Sequence, residues 1–180
     1  MVVKRRAIFL DRDGVINHVI LKAGKPYSPK TVDQVRIYSD VEESLEKLKK
    51  LKFEIIIVTN QPEISRGNLT INEVSKIHDY ITSKVGELNF FVCPHDDQNN
   101  CSCRKPKPGL LLNASTELDV EVKKSFMIGD RWRDIEAGNN AGCLESFFIN
   151  RHYREKLPSN PYTEVRSLKE AVNMILEKCG

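Results

Sequence analysis

One stretch near the N-terminus decides the fold of this chain: Ala7-Ile8-Phe9-Leu10-Asp11-Arg12-Asp13-Gly14-Val15-Ile16-Asn17. Its apolar residues 7–10 predict a short strand that is buried on both faces of a sheet. Asp11 and Asp13 then fall at the carboxyl end of this strand, where open α/β sheets bind ligands. Two buried like charges need a cation, and oxygen ligands suit Mg²⁺, so the pair predicts a magnesium site. Alone, the stretch also fits a strand that ends in an Asp-Gly turn.

Length and composition indicate an ordinary globular protein. The 180 residues suffice for one substantial core, so residues 1–180 are predicted to form a single domain. A net charge of only +3, with dispersed basic residues, favours a small anionic substrate over nucleic acid. No apolar stretch approaches the roughly 20 residues of a membrane span, and residues 1–6 lack the features of a signal peptide. We therefore expect a cytoplasmic protein without membrane contact and, since no dimerisation stripe stands out, a monomer.

Strand-like and helical patterns alternate along the chain. Strands are predicted at residues 6–10, 53–59, 89–93, 125–129 and 144–149. An amphipathic helix is predicted over residues 40–51, and two capping boxes, Thr70 with Glu73 and Ser167 with Glu170, open further helices. This alternation predicts an α/β fold, a parallel sheet with helices on both faces.

Two segments break the alternation. Residues 15–37 contain Gly24, Pro26 and Pro29 without a helical period, and we expect a loop or small hairpin flap beside the Asp pair. Residues 93–109 carry three cysteines and three prolines and predict a structured loop.

Polar residues follow two further predicted strands. Thr59-Asn60-Gln61 follows one of them, where a hydroxyl and a backbone N–H could bind a phosphate oxygen; a plain strand-to-loop turn is the alternative. Asp130 and Asp134 follow the other, and on a helix starting there both would lie on one side. Asp130 could then ligate the metal and Asp134 orient it, unless they form a simple helix-start ion pair.

Cations and metal ligands share the loop at residues 93–109. Prolines hold Arg104, Lys105 and Lys107 extended, so a lysine could neutralise a phosphoryl group, although a solvated charged face is the alternative. Three thiolates and one imidazole in this loop form the ligand set of a closed structural Zn²⁺ site. These ligands are Cys93, His95, Cys101 and Cys103. Zinc would fix the loop so that Arg104 and Lys105 point into the site.

The order of these motifs resembles the haloacid dehalogenase-type phosphohydrolases over nearly the whole chain. The resemblance implies a Rossmann-like sheet without a large cap domain, a catalytic Mg²⁺ and an aspartyl-phosphate intermediate. It implies that Asp11 is the nucleophile and that Asp13 protonates the leaving oxygen and then activates water. Asp11, the backbone carbonyl of Asp13 and Asp130 would hold Mg²⁺, while Thr59 and Lys105 would bind the phosphoryl oxygens.

With the zinc loop included, the chain resembles the D-glycero-D-manno-heptose-1,7-bisphosphate phosphatases, and the histidinol-phosphate phosphatases are the neighbouring group. The heptose resemblance implies removal of the 7-phosphate of a small phosphorylated sugar. That step would serve the synthesis of ADP- or GDP-heptose precursors of lipopolysaccharide or surface polysaccharide. The resemblance also implies substrate contacts by Asn60, Gln61, Arg104 and Arg131, with Lys107 as a weaker candidate for the phosphoryl contact.

Three departures keep alternatives open. Pro62-Glu63 stands after Gln61 where many heptose enzymes have Ser-Gly, and the flap does not align residue by residue. The short gap between His95 and Cys101 also fits the histidinol-phosphate relatives. Histidinol-phosphate phosphatase is therefore the alternative activity, and the sugar anomer stays open. Two further hypotheses are a polynucleotide 3'-phosphatase, which the mild charge disfavours, and a non-catalytic zinc-binding module, which the filled catalytic positions disfavour.

Overall fold

A parallel sheet with β1 near its centre organises the chain. The computed structural model describes residues 4–179, so the first three residues and Gly180 of the predicted domain lie outside it. The strands are β1 (Arg6–Leu10), β2 (Ile20–Lys22), β3 (Lys25–Tyr27), β4 (Phe53–Asn60), β5 (Asn89–Cys93), β6 (Phe126–Gly129), β7 (Glu145–Ile149) and β8 (Thr163–Val165). The α-helices are α1 (Val41–Lys50), α2 (Ile71–Val85), α3 (Gly109–Glu117), α4 (Trp132–Ala141) and α5 (Leu168–Cys179).

The main sheet has the strand order β5-β4-β1-β6-β7-β8, and every pair in it is parallel. The five strands predicted from the sequence are all present. The sixth, β8, was missed because it has three residues, of which only Val165 is buried, too few to give a pattern.

Alternate residues of β1 supply two separate cores. Ile8 and Leu10 pack with residues of α1, α2 and α5 on one face of the sheet. Ala7 and Phe9 pack with residues of α3 and α4 on the other face. The predicted fold class, a parallel sheet with helices on both faces, is confirmed.

The register of the central strands aligns their carboxyl ends. Leu10 of β1 pairs with Ile57 of β4 and with Ile128 of β6. The residues that follow these positions therefore meet at one edge of the sheet, which is the usual ligand site of such folds.

The start of one helix agrees with the prediction from the sequence, and the starts of two others differ from it. The capping box of Thr70 and Glu73 at the start of α2 is confirmed. At α5, Ser167 Oγ accepts from the Glu170 N–H at 3.2 Å, but the Glu170 carboxylate reaches further back and accepts from the N–H of Arg166 at 2.7 Å. The expectation that a helix starts at Asp130 is wrong, because α4 begins at Trp132 and Asp130 lies in the turn after β6.

The predicted flap contains a two-stranded hairpin, β2 paired antiparallel with β3. Its turn is attached to the segment after β7, where the Arg154 N–H donates to the Gly24 carbonyl at 2.8 Å. Within residues 4–179, no helix combines the length and apolar character that crossing a membrane requires.

Candidate active site

Asp11, Lys105 and Asp134 are in direct contact at the carboxyl edge of the sheet. Lys105 Nζ lies 2.7 Å from Asp11 Oδ1 and 2.7 Å from Asp134 Oδ1, and it donates to the Val58 carbonyl at 2.6 Å. An ammonium has three donors, so all those of Lys105 are used. Burial alone would lower the pKa of Lys105, but the two carboxylates raise it, which keeps this buried side chain charged.

Asp130 has the environment of a cation ligand. Both of its carboxylate oxygens are buried and have no hydrogen-bond partner within residues 4–179. Asp11, Asp130 and Asp134 each offer an oxygen, and these atoms lie within 4.8 Å of one another. A buried carboxylate without a partner is costly, and a hard divalent cation removes this cost. The donor set therefore fits Mg²⁺.

Gly14 gives Asp130 the room it needs. A Cβ at Gly14 would stand 1.7 Å from Asp130 Oδ2, and the residue has φ +93°. Both facts require glycine here, because other residues rarely adopt this conformation and none could avoid the contact.

The oxygens of Asp134 are engaged differently. Oδ1 pairs with Lys105 at 2.7 Å, and Oδ2 accepts from the backbone N–H of Arg131 at 3.0 Å. Because its oxygens have protein partners while those of Asp130 have none among the residues that the structure describes, Asp134 is suited to orient the site and Asp130 to bind the cation.

The carboxylates disfavour one another's charge in the absence of a metal. Burial and the neighbouring Asp134 raise the pKa of Asp11 to about 7, although Lys105 acts in the opposite direction. Burial and Asp11 raise the pKa of Asp130 well above its ordinary value. One lysine does not balance the acidic cluster, and a divalent cation would supply the missing positive charge.

Asp13 is held by a dense set of donors. Arg12 Nη2 donates to both carboxylate oxygens at 3.0 Å, and Arg12 Nε donates to Oδ1 at 3.1 Å. Three further donors lie at 2.8–2.9 Å and belong to Asn17 Nδ2, Ser28 Oγ and Gln61 Nε2. Burial alone would raise the pKa of Asp13, but Arg12 and these hydrogen bonds lower it. The side chain is thus held in place, and it is ionised in the free protein.

The residues at the end of β4 support the site in different ways. Asn60 Oδ1 accepts from the Lys105 N–H at 3.2 Å, and Asn60 Nδ2 donates to the Lys105 carbonyl at 3.1 Å. Gln61 Nε2 donates to Asp13 and to Thr59 Oγ1, each at 2.9 Å. Of Thr59, Asn60 and Gln61, Asn60 alone lines the cavity beside Asp11.

The structure brings Lys105, and not Lys107, to the carboxylates. Lys107 Nζ donates to Asn100 Oδ1 at 2.8 Å and to the Cys101 carbonyl at 2.7 Å. Arg104 also faces the loop, with Nε 2.9 Å from Asp97 Oδ1. Neither Arg104 nor Lys107 lines the cavity that contains Asp11.

The cavity over Asp11 is walled by the flap and by the start of α4. Arg131, which is predicted to contact the substrate, lines it, and Ser28, Tyr27 and Arg133 line it as well. Sequence reasoning missed these three. Arg133 follows Arg131 by two positions in the first turn of α4, which was a usable signal. The flap residues gave none, because their position depends on how the hairpin folds back.

The four predicted zinc ligands converge on one point. The Sγ atoms of Cys93, Cys101 and Cys103 lie 3.1–3.7 Å apart, and His95 Nδ1 lies 3.7 and 3.4 Å from those of Cys93 and Cys103. Tetrahedral ligands of one Zn²⁺ are separated by roughly 3.4–3.8 Å, given the usual bond lengths. Four of the five distances fall in this range, and the 3.1 Å between the Sγ atoms of Cys93 and Cys103 is somewhat shorter, so the cluster fits a four-coordinate zinc ion closed to substrate after a small adjustment of these two side chains.

Comparison with known proteins agrees with this geometry. Residues 13–142 match the haloacid dehalogenase-like hydrolases, and the chain belongs to this family of enzymes. It is 33% identical to the D-glycero-beta-D-manno-heptose-1,7-bisphosphate 7-phosphatase of Helicobacter pylori, covering 97% of this chain and 99% of that protein. It is also 33% identical to the corresponding alpha-heptose enzyme of Campylobacter jejuni, covering 97% and 98%.

A solved structure gives the same result. The D,D-heptose 1,7-bisphosphate phosphatase from B. bronchiseptica, complexed with magnesium and phosphate, superimposes with a TM-score of 0.81. It is 25% identical, and the match covers 96% of this chain and 99% of that one. The predicted family and enzyme class are confirmed. The roles of individual site residues stay predictions.

Proposed function

We propose that this protein is a Mg²⁺-dependent phosphatase that removes the 7-phosphate of D-glycero-D-manno-heptose 1,7-bisphosphate. The observation that carries the proposal is the buried contact of Lys105 with Asp11 at 2.7 Å, beside the unpartnered Asp130. This arrangement provides a nucleophile, a fixed positive charge and a cation ligand around one point. Phosphoryl transfer needs these elements, since its catalysis is chiefly positioning and charge stabilisation.

In the first step, an oxygen of Asp11 attacks phosphorus while the bond from phosphorus to the C7 oxygen breaks. Asp13, which takes up a proton from solvent when the phosphate dianion binds beside it, gives this proton to the departing alkoxide, which leaves as the sugar hydroxyl. Arg12 holds the pKa of Asp13 low in the free protein. A phosphate dianion close to Asp13 raises this pKa, because like charges disfavour ionisation, and so promotes its protonation.

In the second step, Asp13 accepts a proton from water as the water oxygen attacks the aspartyl phosphate. The bond between Asp11 and phosphorus breaks, inorganic phosphate leaves, and the carboxylate of Asp11 is restored. Lys105, fixed by its contacts to Asp134 and Val58, keeps its positive charge beside the transferring group throughout.

Asp11, Asp130 and the backbone carbonyl of Asp13 would hold Mg²⁺, which when bound supplies positive charge against the phosphate oxygens. Cys93, His95, Cys101 and Cys103 would hold a structural Zn²⁺. The zinc loop leads directly into Lys105, whose backbone Asn60 holds with two hydrogen bonds. Metal binding in the loop would thereby preserve the position of the catalytic lysine.

The sugar assignment rests on the two 33% identical relatives, which are named for the heptose substrate and cover nearly the whole chain. The reaction would supply heptose precursors for lipopolysaccharide or surface polysaccharide. One of these relatives is named for the beta anomer and the other for the alpha anomer, so the proposal covers both anomers. Histidinol phosphate is the less favoured substrate, since none of these relatives is named for it. The monomeric state and cytoplasmic location stay predictions from the sequence.

The test is a kinetic comparison of the two heptose 1,7-bisphosphate anomers with histidinol phosphate, at saturating Mg²⁺. We expect kcat/KM for one heptose anomer to exceed that for histidinol phosphate at least 100-fold. NMR of the product should show a heptose 1-phosphate. A higher kcat/KM on histidinol phosphate, or release of the 1-phosphate, would overturn the assignment.

A further inference from the structure

An ion pair between Arg131 and Glu155 lies at the wall of the active-site cavity. Glu155 Oε2 accepts from Arg131 Nε at 3.0 Å, and Glu155 Oε1 accepts from Arg131 Nη2, so the contact is bidentate. The side chains are 35% and 18% exposed, respectively. Burial alone would lower the pKa of Arg131, but Glu155 raises it. The pair joins the first residue after Asp130 to a segment 24 positions later in the chain.

Glu155 belongs to a segment that is itself attached on two sides. One residue before it, the Arg154 N–H donates to the Gly24 carbonyl in the flap turn at 2.8 Å. One residue after it, Lys156 Nζ lies 3.7 Å from the centre of the Trp132 ring and 3.3 Å from Glu136 Oε1 on α4. The carboxylate of Glu155 is therefore placed by both the flap and α4.

The bidentate contact fixes the orientation of the Arg131 guanidinium. Glu155 occupies its Nε and Nη2 edge, while its Nη1 has no hydrogen-bond partner within residues 4–179. Arg131 lines the cavity together with Asp11 and Lys105. An arginine has many rotamers of similar energy, and a fork-to-fork contact with a carboxylate selects one of them. Three of the five guanidinium N–H donors are left free by Glu155, namely both of Nη1 and the second one of Nη2.

We propose that Glu155 is a positioning residue that determines substrate recognition by holding Arg131 with Nη1 available to a distal anionic group of the substrate. This inference rests on the proposed function, because it assigns Arg131 to the phosphate that is not removed. Glu155 does not touch the reacting phosphoryl group. Its effect is therefore on affinity for substrates with a second phosphate.

The experiment compares wild type, Glu155→Gln, Arg131→Ala and the double variant on two substrates. These are the heptose 1,7-bisphosphate and p-nitrophenyl phosphate, which has no second phosphate. Glu136→Gln is the matched control, because Glu136 also pairs with the segment, through Lys156, but does not touch Arg131. Glu155→Asp, which keeps the charge but shortens the reach, replaces Glu155→Gln if that variant does not fold.

We expect Glu155→Gln to raise KM for the bisphosphate about tenfold with kcat within threefold, since an interaction equal in the ground and transition states acts on KM. The loss of kcat/KM on the bisphosphate should exceed that on p-nitrophenyl phosphate at least fivefold. In the Arg131→Ala background, the Glu155 substitution should have no further effect. An unchanged KM, equal losses on both substrates, or additive losses would each overturn the proposal.

An activity-independent measurement separates this inference from the proposed function. In ¹⁵N NMR spectra, the Arg131 Nε–H should be protected from exchange in wild type and Glu136→Gln, and lose protection in Glu155→Gln. If wild type does not hydrolyse the heptose bisphosphate, the proposed function fails, and the KM comparison is made on the bisphosphate that it hydrolyses fastest. Unprotected Arg131 Nε–H in wild type would overturn the inference whatever the substrate is.

Discussion

Lys105 Nζ lies 2.7 Å from Asp11 Oδ1, although 94 positions separate the two residues in the chain. Asp11 directly follows the central strand β1, and Lys105 lies in a loop that contains the Cys/His cluster and that Asn60 holds with two hydrogen bonds. The contact pairs a buried carboxylate with a buried ammonium. It therefore couples the chemistry at the sheet edge to the folding of the loop.

Replacing Lys105 should lower kcat/KM strongly while the protein stays folded. We expect Lys105→Met to lower kcat/KM by roughly 10³-fold, because the fixed cation beside the transferring phosphoryl group is lost. Lys107→Met is the control, since Lys107 Nζ donates to Asn100 Oδ1 and the Cys101 carbonyl and does not line the cavity, and it should stay within about threefold of wild type. Steady-state kinetics with circular dichroism as a folding check measures both. Equal losses in the two variants would contradict the placement of Lys105.

Gly14→Ala should weaken Mg²⁺ activation. The new Cβ would stand 1.7 Å from Asp130 Oδ2 and would displace this carboxylate. Gly67→Ala is the matched control, because Gly67 also has positive φ but has no atom within 4 Å of the new Cβ. Both variants should lose about 1 kcal/mol of stability through backbone strain. Only Gly14→Ala should raise the Mg²⁺ concentration for half-maximal activity, at least tenfold, in a metal titration. An unchanged titration would contradict the role of Asp130.

Removing one zinc ligand should unfold the loop and displace Lys105. We expect purified wild type to contain about one zinc per chain and Cys101→Ser to contain little, since a closed site needs four ligands. The activity of Cys101→Ser should fall with its zinc content. Cys143→Ser, outside the Cys/His cluster, should keep its zinc and its activity. Elemental analysis and kinetics on the same samples test this, and full activity in zinc-free protein would contradict it.

Much of the fold was predictable from local pattern, and the site was predictable in part. The apolar runs that precede Asp11, Thr59 and Asp130 indicated parallel strands. The carboxyl ends of parallel strands lie at the same edge of a sheet. The residues that follow these strands were therefore expected to lie close together, as Asp11 and Asp130 do. The Cys/His cluster was predicted because its residue types and spacing suffice without knowledge of the fold, and its role in zinc binding stays a prediction.

The remaining site residues depend on tertiary contacts that leave no periodic signal. Ser28 reaches Asp13 only because the flap folds back, and Glu155 reaches Arg131 from a segment without regular structure. The choice between Lys105 and Lys107 was equally undetermined, since both lie in the same loop and each directly precedes a proline. The loop conformation, which the two hydrogen bonds of Asn60 to the Lys105 backbone help to fix, decides which lysine turns inward.

His78 should make the protein less stable in mild acid. Its ring stacks on Phe90 with centroids 4.0 Å apart, and its Nε2 lies 3.1 Å from Arg12 Nη1. Burial and the positive charge of Arg12 lower the pKa of His78 from 6.5 to about 3. The unfolded chain therefore binds the extra proton below pH 6.5, and the stability due to the neutral ring is lost as the pH falls toward 3.

The measurement is denaturant unfolding of wild type and His78→Gln at pH 7.5 and pH 5.0. Between pH 7.5 and pH 5.0, the free energy of unfolding of wild type should fall by about 2 kcal/mol more than that of the variant. This figure follows from about 1.4 kcal/mol per pH unit over the range below the unfolded-state pKa of His78. The site carboxylates titrate in both proteins and cancel from the difference. Equal losses would show that His78 is not held neutral.

The central claim is that Asp11 forms the covalent bond to phosphorus, and Asp11→Asn tests it most directly. The amide has nearly the same size and is a far poorer nucleophile. Phosphate release from the heptose 1,7-bisphosphate is measured at saturating Mg²⁺, with Asp33→Asn, at an exposed position, as the control. We predict a loss of at least about 10³-fold in kcat for Asp11→Asn, with an unchanged melting temperature. A folded Asp11→Asn protein that keeps turnover within about tenfold of wild type would contradict the account.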